Sequence, residues 1–427
     1  MDDRSSNRKP RIVVIGAGFG GINAVQEFQR LDADVLLIDR RNYHLFQPLL
    51  YQVATAGLSP SDISYPVRAI FRNQHNARFM MAEVNHIDLE NQCLITSLGG
   101  IPYDFLIISV GSETNYFGLE SVKQHGFELK DLDDAEGIRN HILRMFEVAA
   151  HEPDPEIRKA LLTFVIVGGG PTGVECSGAF SELFRLVLSK DFPNIKFENI
   201  RVIILEMLDH LLPGFPSDLG RAAGETLQRK HVEVRLGETL EDFDGENVRL
   251  KSGEIIPTRT VVWAAGVKAA QLANTLGVPM ARQGRVLVSA SLQLPDYPEV
   301  FVIGDAAYLE HGGDPLPMVA PVAIQQARTA ARNIQKIIAG QPVDEFVYKD
   351  PGSLATIGRN AAVARVGRFK FKGFLAWLVW LAVHIFWLIG FRNRLLVLIN
   401  WGWDYFLFER AVRLITPTPE RAKEVVK

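Results

Sequence analysis

One local pattern occurs twice in this chain and restricts its fold more than any bulk property does. Ile12–Ile15 is a short apolar run ending in Gly16, Gly18 and Gly21, with Phe19 and Gly20 inside the turn and a helix-compatible stretch, Ile22–Arg30, behind it. Phe164–Val167 ends the same way in Gly168, Gly170 and Gly173, with Pro171 and Thr172 inside the turn. In a G-x-G-x-x-G turn the first glycine permits the tight bend and the second lets backbone approach a pyrophosphate. The third lets helix and strand pack closely. The helix that follows offers free N–H groups and partial positive charge to an anion. Each copy leads to a second strand ending in an acid: Val35–Ile38 then Asp39, and Val202–Leu205 then Glu206. Strand, turn, helix, strand and acid in that order, twice over, predict an α/β chain with two Rossmann-like dinucleotide-binding domains.

The acids give the two sites different detail. A carboxylate at such a strand end accepts from ribose hydroxyls, and Glu206 repels a 2′-phosphate, favouring NAD(H) over NADP(H). Arg40, beside Asp39, is placed to reach phosphate or adenine, with a plain exposed arginine as the simpler reading. Short strands are predicted at Arg78–Val84, with Val84 at its end, and at Cys93–Ser97. Phe105–Val110 ends in Gly111-Ser112, and Thr260–Trp263 in Ala264-Ala265-Gly266, two small-residue turns that let backbone return close to a dinucleotide. Gly118–Lys159 reads as helical with a loose link at His151–Pro155, and Arg40–Gln52 as a loop past a flat ring system or a half-buried helix start. Glu175 stands two residues past Gly173 on the first turn of its helix. It either meets the nicotinamide or manages protons there, or it merely complements the helix dipole.

The remaining composition excludes other classes. A length of 427 residues predicts two to three domains. The net charge of −3 is dispersed, so no nucleic-acid partner is expected. Cys93 and Cys176 lack C-x-x-C spacing, which argues against a disulfide scaffold, a zinc site or an iron–sulfur cluster. Met1–Arg11 has no apolar core, so no secretory signal is read and the cytoplasmic side is expected.

From Arg368 the chain changes character. Phe374–Phe391 carries no formal charge and is flanked by Arg368, Lys370 and Lys372 before it and Arg392 and Arg394 after it. Five of the six tryptophans fall beyond residue 370, as expected at a membrane–water boundary. A second apolar stretch, Leu395–Phe408, is interrupted by Asn400, Gly402 and Asp404. Helices lying in one leaflet surface are expected, in preference to a span of about 27 Å or to buried soluble helices.

Val300–Ile303 ends in Gly304-Asp305, and with the two fingerprints and Asp39 this resembles the two-dinucleotide-domain flavoproteins of glutathione-reductase-like fold. That resemblance implies FAD at the first fingerprint, NADH at the second, and Asp305 on the flavin's ribityl chain. The segment Pro317–Ala327 is similar to the A-Q-x-A-x-Q-Q segment of type II NADH:quinone oxidoreductases, matching at Ala320, Ala323, Gln325 and Gln326, with Pro321 where many members carry Gln. By resemblance Ala320, Pro321 and Val322 lie under the flavin and Gln325 and Gln326 line a quinone pocket, while Lys370 or Lys372, just before the anchor, either stands near the flavin or quinone entrance or, as the simpler reading, contacts anionic lipid. The implied chemistry is hydride transfer from NADH to FAD and two electrons onward to a membrane quinone, without proton pumping. The chain would sit on the cytoplasmic face, held to the bilayer by its C-terminal helices, and a homodimer is compatible. The expected domains are 1–118 and 290–367 for FAD, 119–289 for NAD(H) and 368–427 for the membrane. A sulfide:quinone oxidoreductase-like enzyme, which needs redox cysteines, and a non-catalytic NADH-sensing membrane flavoprotein are the rival readings.

Overall fold

The computed structural model describes residues 8–407, 410 and 412–416. The chain divides into two compact units, each built from several segments. The first takes in the chain through Leu45, then Ser64–Thr114 and Val267–Asp350, and the second Phe46–Ile63, Asn115–Gly266 and the chain from Pro351 onward. The exchange points thus fall at 114 and 267, against 118 and 290 in the sequence reading, because Ser112–Thr114 pairs antiparallel with Val267–Ala269 inside the first unit.

The first unit is organised by a six-stranded sheet. In spatial order it runs Gln293–Leu294, Tyr297–Val302, Phe105–Ile108, Arg11–Ile15, Asp34–Asp39 and Ala77–Met81. The last five are parallel, and Ile12 stands between Val35 and Phe105. Such strands are covered on both faces and so read as unbroken apolar runs; Ile12, Val13 and Val14 are all buried. From Arg11–Ile15 the chain crosses to Asp34–Asp39 on one side, while Phe105–Ile108 lies on the other, which opens a crevice at the carboxyl ends of the strands. The helices Phe19–Glu27 and Ala320–Ile338 pack against each other. Pro321 occupies the first turn of the second of these, where its missing N–H costs no helical bond.

Two expectations need correction here. The first helix begins at Phe19, directly after Gly18, and ends at Glu27, not Ile22 to Arg30. Arg78–Val84 is not one strand. The parallel ladder ends where Ala82 N donates to Asp39 O at 3.0 Å, and Val84 instead opens the strand Val84–Asp88 of a separate antiparallel sheet with Cys93–Thr96 and Gly99–Pro102.

The second unit repeats the plan with a five-stranded parallel sheet: Phe127–Glu128, Thr260–Trp263, Thr163–Val167, Arg201–Glu206 and Val232–Leu236. The expected helical run Gly118–Lys159 therefore contains an edge strand, Phe127–Glu128, between the helices Glu120–His125 and Leu132–His151. The longer helix starts at a reciprocal cap in which Asp131 Oδ1 accepts from Asp134 N and Asp134 Oδ2 from Asp131 N, both at 3.0 Å. Pro171–Glu182 continues into a π-helical run, Leu183–Leu188.

A three-stranded antiparallel sheet, Ser353–Thr356, Ala362–Val366 and Phe369–Gly373, leads into the helices Phe374–Trp387 and Phe391–Leu407. The apolar run Phe374–Phe391 is thus 14 residues of helix and then a break, set by Gly390 in the left-handed region at φ +89°. No helix among the described residues is long and apolar enough to cross a membrane. The second stretch extends from Phe391 to Leu407, and Phe408 lies outside the described residues. The second helix lies against the Phe46–Ile63 segment: Asn393 donates to Ser61 O at 3.2 Å, Asn400 to Asp62 at 3.0 Å and Trp401 to Gln52 at 2.8 Å, while His384 of the first stands edge-on to Phe46 with ring centroids 6.2 Å apart. Phe386, Phe391 and Phe406 face outward, 73%, 82% and 76% exposed.

Candidate functional site

In the first unit the glycines behave as the fingerprint requires, each for its own reason. A Cβ at Gly16 (φ +100°) would stand 2.2 Å from Ser109 O, and one at Gly21 would stand 1.8 Å from Gly16 O. A Cβ at Gly18 would meet no protein atom within 4 Å, so packing does not demand glycine there. Glycine there leaves open room beside the uncapped N-terminus of Phe19–Glu27, a place a phosphate fits. Asp39 Oδ2 accepts from Ala17 N at 2.6 Å and Oδ1 from Arg41 N at 2.7 Å. The carboxylate thus fixes the turn and keeps lone pairs for ribose hydroxyls. Arg40 beside it is exposed.

At the far edge of the same crevice, Asp305 Oδ2 accepts from Ser112 Oγ at 2.5 Å, next to Gly111 in the left-handed region at φ +70°. Gly304 N donates to Gln326 Oε1 at 2.7 Å. Gln326 is fully buried and its Nε2 has no hydrogen-bond partner, so a donor is left for a bound group. Gln325 differs: Nε2 donates to Lys349 O at 2.8 Å and Oε1 accepts from Lys349 N at 3.0 Å. Ala320 and Pro321 open this helix with Val322 buried beneath. The acid, the uncapped helix N-terminus and the orphaned amide together fit FAD.

Sequence reasoning passed over His44. It is buried, with Nδ1 2.8 Å from Ala17 O, its ring 5.1 Å edge-on from Phe19 and Nε2 without a partner. Burial pushes its pKa down, so the ring is neutral and Nε2 accepts.

The second unit repeats the arrangement. A Cβ at Gly168 (φ +109°) would stand 2.6 Å from Ala264 O, one at Gly173 1.9 Å from Gly168 O, and one at Gly170 would meet nothing. Glu206 Oε2 accepts from Gly169 N at 2.6 Å and Oε1 from Leu208 N at 2.8 Å, as Asp39 does in the first unit. Pro171 and Thr172 are exposed on the first helical turn. The small-residue turn lies opposite: Gly266 O accepts from Asn115 N at 3.1 Å, and a Cβ on Gly266 would touch the Phe117 ring at 2.8 Å. Ala265, beside it, is half-buried. This donor set fits NADH.

Glu175 is buried on the helix Pro171–Glu182, where Oε1 accepts a long bond of 3.3 Å from Thr356 N. Burial pushes its pKa up to about 8, against weaker opposing help from Thr356 N and the Trp380 indole. The Trp380 N–H is itself fully buried and short of full hydrogen-bond geometry. Glu175 is therefore a carboxylic acid at neutral pH. Its partners lie about 180 and 200 residues further along the chain, and no local pattern announces them. His384 stacks on Trp380 with ring centroids 4.0 Å apart and bonds to Trp380 O at 2.7 Å, and burial pushes its pKa down to about 4. Lys372 is exposed on the strand Phe369–Gly373, opposite Val363, and Lys370 is paired with Asp218 at 2.7 Å. Both cysteines are free thiols.

Comparison with known proteins gives the family. Residues 10–327 match the pyridine nucleotide-disulphide oxidoreductase family, and residues 351–411 match the NDH2 C-terminal domain. The chain is 41% identical over 424 residues to the type II NADH:quinone oxidoreductase Ndh of Mycobacterium tuberculosis, covering 96% of this chain and 91% of that protein. It is 40% identical over 423 residues to NdhA of the same organism, covering 95% and 89%. NDH2 of Plasmodium falciparum, solved in complex with NADH, shares the fold at a TM-score of 0.87 and 22% identity, over 96% of this chain and all of that one. With both its dinucleotide turns and its C-terminal segment accounted for, the chain belongs to the pyridine nucleotide-disulphide oxidoreductases and, among them, to the type II NADH:quinone oxidoreductases.

Proposed function

We propose that the enzyme oxidises NADH and reduces a membrane quinone through FAD by means of the residues assembled above. The observation that carries this is the pair of like-built cradles, each locked by an acid onto the backbone of its own turn. FAD, when bound, accepts a hydride and returns two electrons. Gly16–Gly21, Asp39, Gly111, Asp305 and Gln326 hold it in the first unit. Gly168–Gly173, Glu206, Ala265 and Gly266 hold NADH in the second. Hydride transfer requires the nicotinamide C4 within roughly 3–3.5 Å of its acceptor atom, and positioning is the protein's share of that step.

Quinol formation consumes two protons. Glu175, protonated at neutral pH and shielded from water by Trp380, supplies one of them and regains its proton from solvent; the other is the hydrogen that leaves NADH with the hydride. Gln326 keeps an N–H for a polar oxygen, whereas Gln325 would have to share an amide already bonded at both ends to Lys349. The protons go into quinol, and no ion is moved across a membrane.

The helices Phe374–Trp387 and Phe391–Leu407 lie in one leaflet surface, with Phe386, Phe391 and Phe406 entering lipid. This makes the enzyme peripheral, and the face proposed for it is the cytoplasmic one. The homodimer compatible with the family is read by sedimentation of detergent-solubilised protein. The functional test is NADH oxidation by the purified yellow protein with and without a short-chain quinone. Flavin reduction without turnover would favour the sensor reading.

A further inference from the structure

In the second unit one exposed aromatic ring is carried on a backbone that resists it. Phe117 has φ +50°, in the left-handed region that a bulky side chain seldom adopts, and it is 62% exposed. Such outliers persist only where the surroundings fix them, and they gather at functional sites. Here the fixing bonds are explicit. Phe117 N donates to Asn115 Oδ1 at 2.9 Å, Asn115 N to Gly266 O at 3.1 Å, and the Trp263 indole N–H to Asn115 O at 2.9 Å. Tyr116 stacks on Trp263 with ring centroids 6.0 Å apart, and with Leu119 it packs on the core around Val165 and Val167. These neighbours turn inward while the Phe117 ring stays out.

That ring covers the small-residue turn Ala264-Ala265-Gly266. A Cβ on Gly266 would stand 2.8 Å from Phe117 Cζ and 3.0 Å from Cε2, so glycine at this position leaves room for the ring. Sheet order decides which part of NADH meets it. The fingerprint strand Thr163–Val167 has Arg201–Glu206 on one side and Thr260–Trp263 on the other. With Glu206 on the adenosine ribose and the pyrophosphate at the helix start after Gly170, the dinucleotide crosses the crevice toward Thr260–Trp263. Its nicotinamide half then falls at the turn that Phe117 covers.

We propose that the Phe117 ring is the platform on which the nicotinamide ring of NADH lies. Ring against ring is a favourable contact, and one covered face leaves the other for hydride transfer. A phenyl group offers nothing to a phosphate or a hydroxyl, and the adenine belongs to the Glu206 side. The platform deepens the NADH reading of the second unit and rests on it.

The test is calorimetry on the oxidised yellow holoenzyme with two ligands that cannot reduce it. Tetrahydro-NADH keeps a ring in the nicotinamide position, and ADP-ribose lacks it. Phe117→Asn suits the left-handed backbone and removes the ring. It should weaken tetrahydro-NADH about tenfold and leave ADP-ribose unchanged, while Phe117→Tyr should bind both as the unaltered protein does. If Phe117→Asn fails to fold, Phe117→Gly, which tolerates the same φ, takes its place. Equal loss for both ligands would make Phe117 a structural plug on Gly266, and loss for neither would leave the ring without a part in binding; either overturns the proposal. Glu206→Ala should weaken both ligands alike. Were it to weaken neither, the NADH reading of this cradle would fall and the platform with it. Were it to weaken both while Phe117→Asn spares tetrahydro-NADH, the platform would fall and the NADH reading stand.

Discussion

Glu206 Oε2 accepts from Gly169 N at 2.6 Å, so the acid proposed to face the NADH ribose also holds the glycine turn proposed to cradle the pyrophosphate. Glu206→Ala should therefore act twice. NADPH should become a better substrate relative to NADH, with kcat/KM for NADH falling about ten- to a hundredfold, or about 1.4–2.7 kcal/mol. The exposed N–H groups of Gly169 and Leu208 should also lower stability by about 1–3 kcal/mol. Unchanged discrimination between the two nucleotides in steady-state kinetics would remove the role of Glu206.

The flavin cradle makes a sharper prediction, because its glycines are needed for different reasons. Gly21→Ala puts a Cβ 1.8 Å from Gly16 O and should destabilise the fold itself, visible as a lowered Tm of the apoprotein. Gly18→Ala meets no protein atom within 4 Å, so the apoprotein should melt normally yet bind FAD weakly. Titration of both apoproteins with FAD separates them, and equal behaviour would contradict the assignment.

That contrast also shows what was legible in the chain and why. Gly16–Gly21 and Gly168–Gly173 are local devices whose chemistry is complete within a few residues, so spacing alone places them. Val84 is misplaced because the end of its predicted strand depends on a partner: Asp39 O accepts from Ala82 N and Glu83 O accepts from Ser97 N, both non-local. The apolar run Phe374–Phe391 conceals a break because Leu388, Ile389 and Gly390 differ little in hydropathy from helix, and only the backbone of Gly390 reveals it. Trp380, expected at a lipid boundary, is 1% exposed beside Glu175, because its helix packs on the sheet strands Ser353–Thr356 and Ala362–Val366.

Glu175 ties stability to pH. Its folded pKa of about 8 lies above the ordinary 4.5, so between those values the folded state holds a proton that the unfolded state has released. Stability from this group is fully present below about 4.5 and is lost as pH rises toward 8. Glu175→Gln should remove roughly 3 kcal/mol of cost at pH 7 and flatten the profile over that range. In stopped-flow the same variant should leave flavin reduction by NADH unaltered and slow reoxidation by quinone. An unchanged pH profile in both measurements would leave Glu175 without a proton role.

The proposed docking to the membrane rests on three exposed rings. Phe386, Phe391 and Phe406 each offer about 1.5–3 kcal/mol on burial in lipid. Replacing all three by Ser should lower co-flotation with vesicles by about a hundredfold or more, while flavin reduction by NADH persists. Undiminished flotation would move the contact elsewhere.

The most direct measurement is anaerobic reduction of the purified yellow protein by one equivalent of NADH, followed by addition of a short-chain benzoquinone. The flavin absorbance should bleach, then return as one quinol forms for each NADH consumed. A protein that bleaches and stays bleached with quinone present would contradict the enzyme built from these residues.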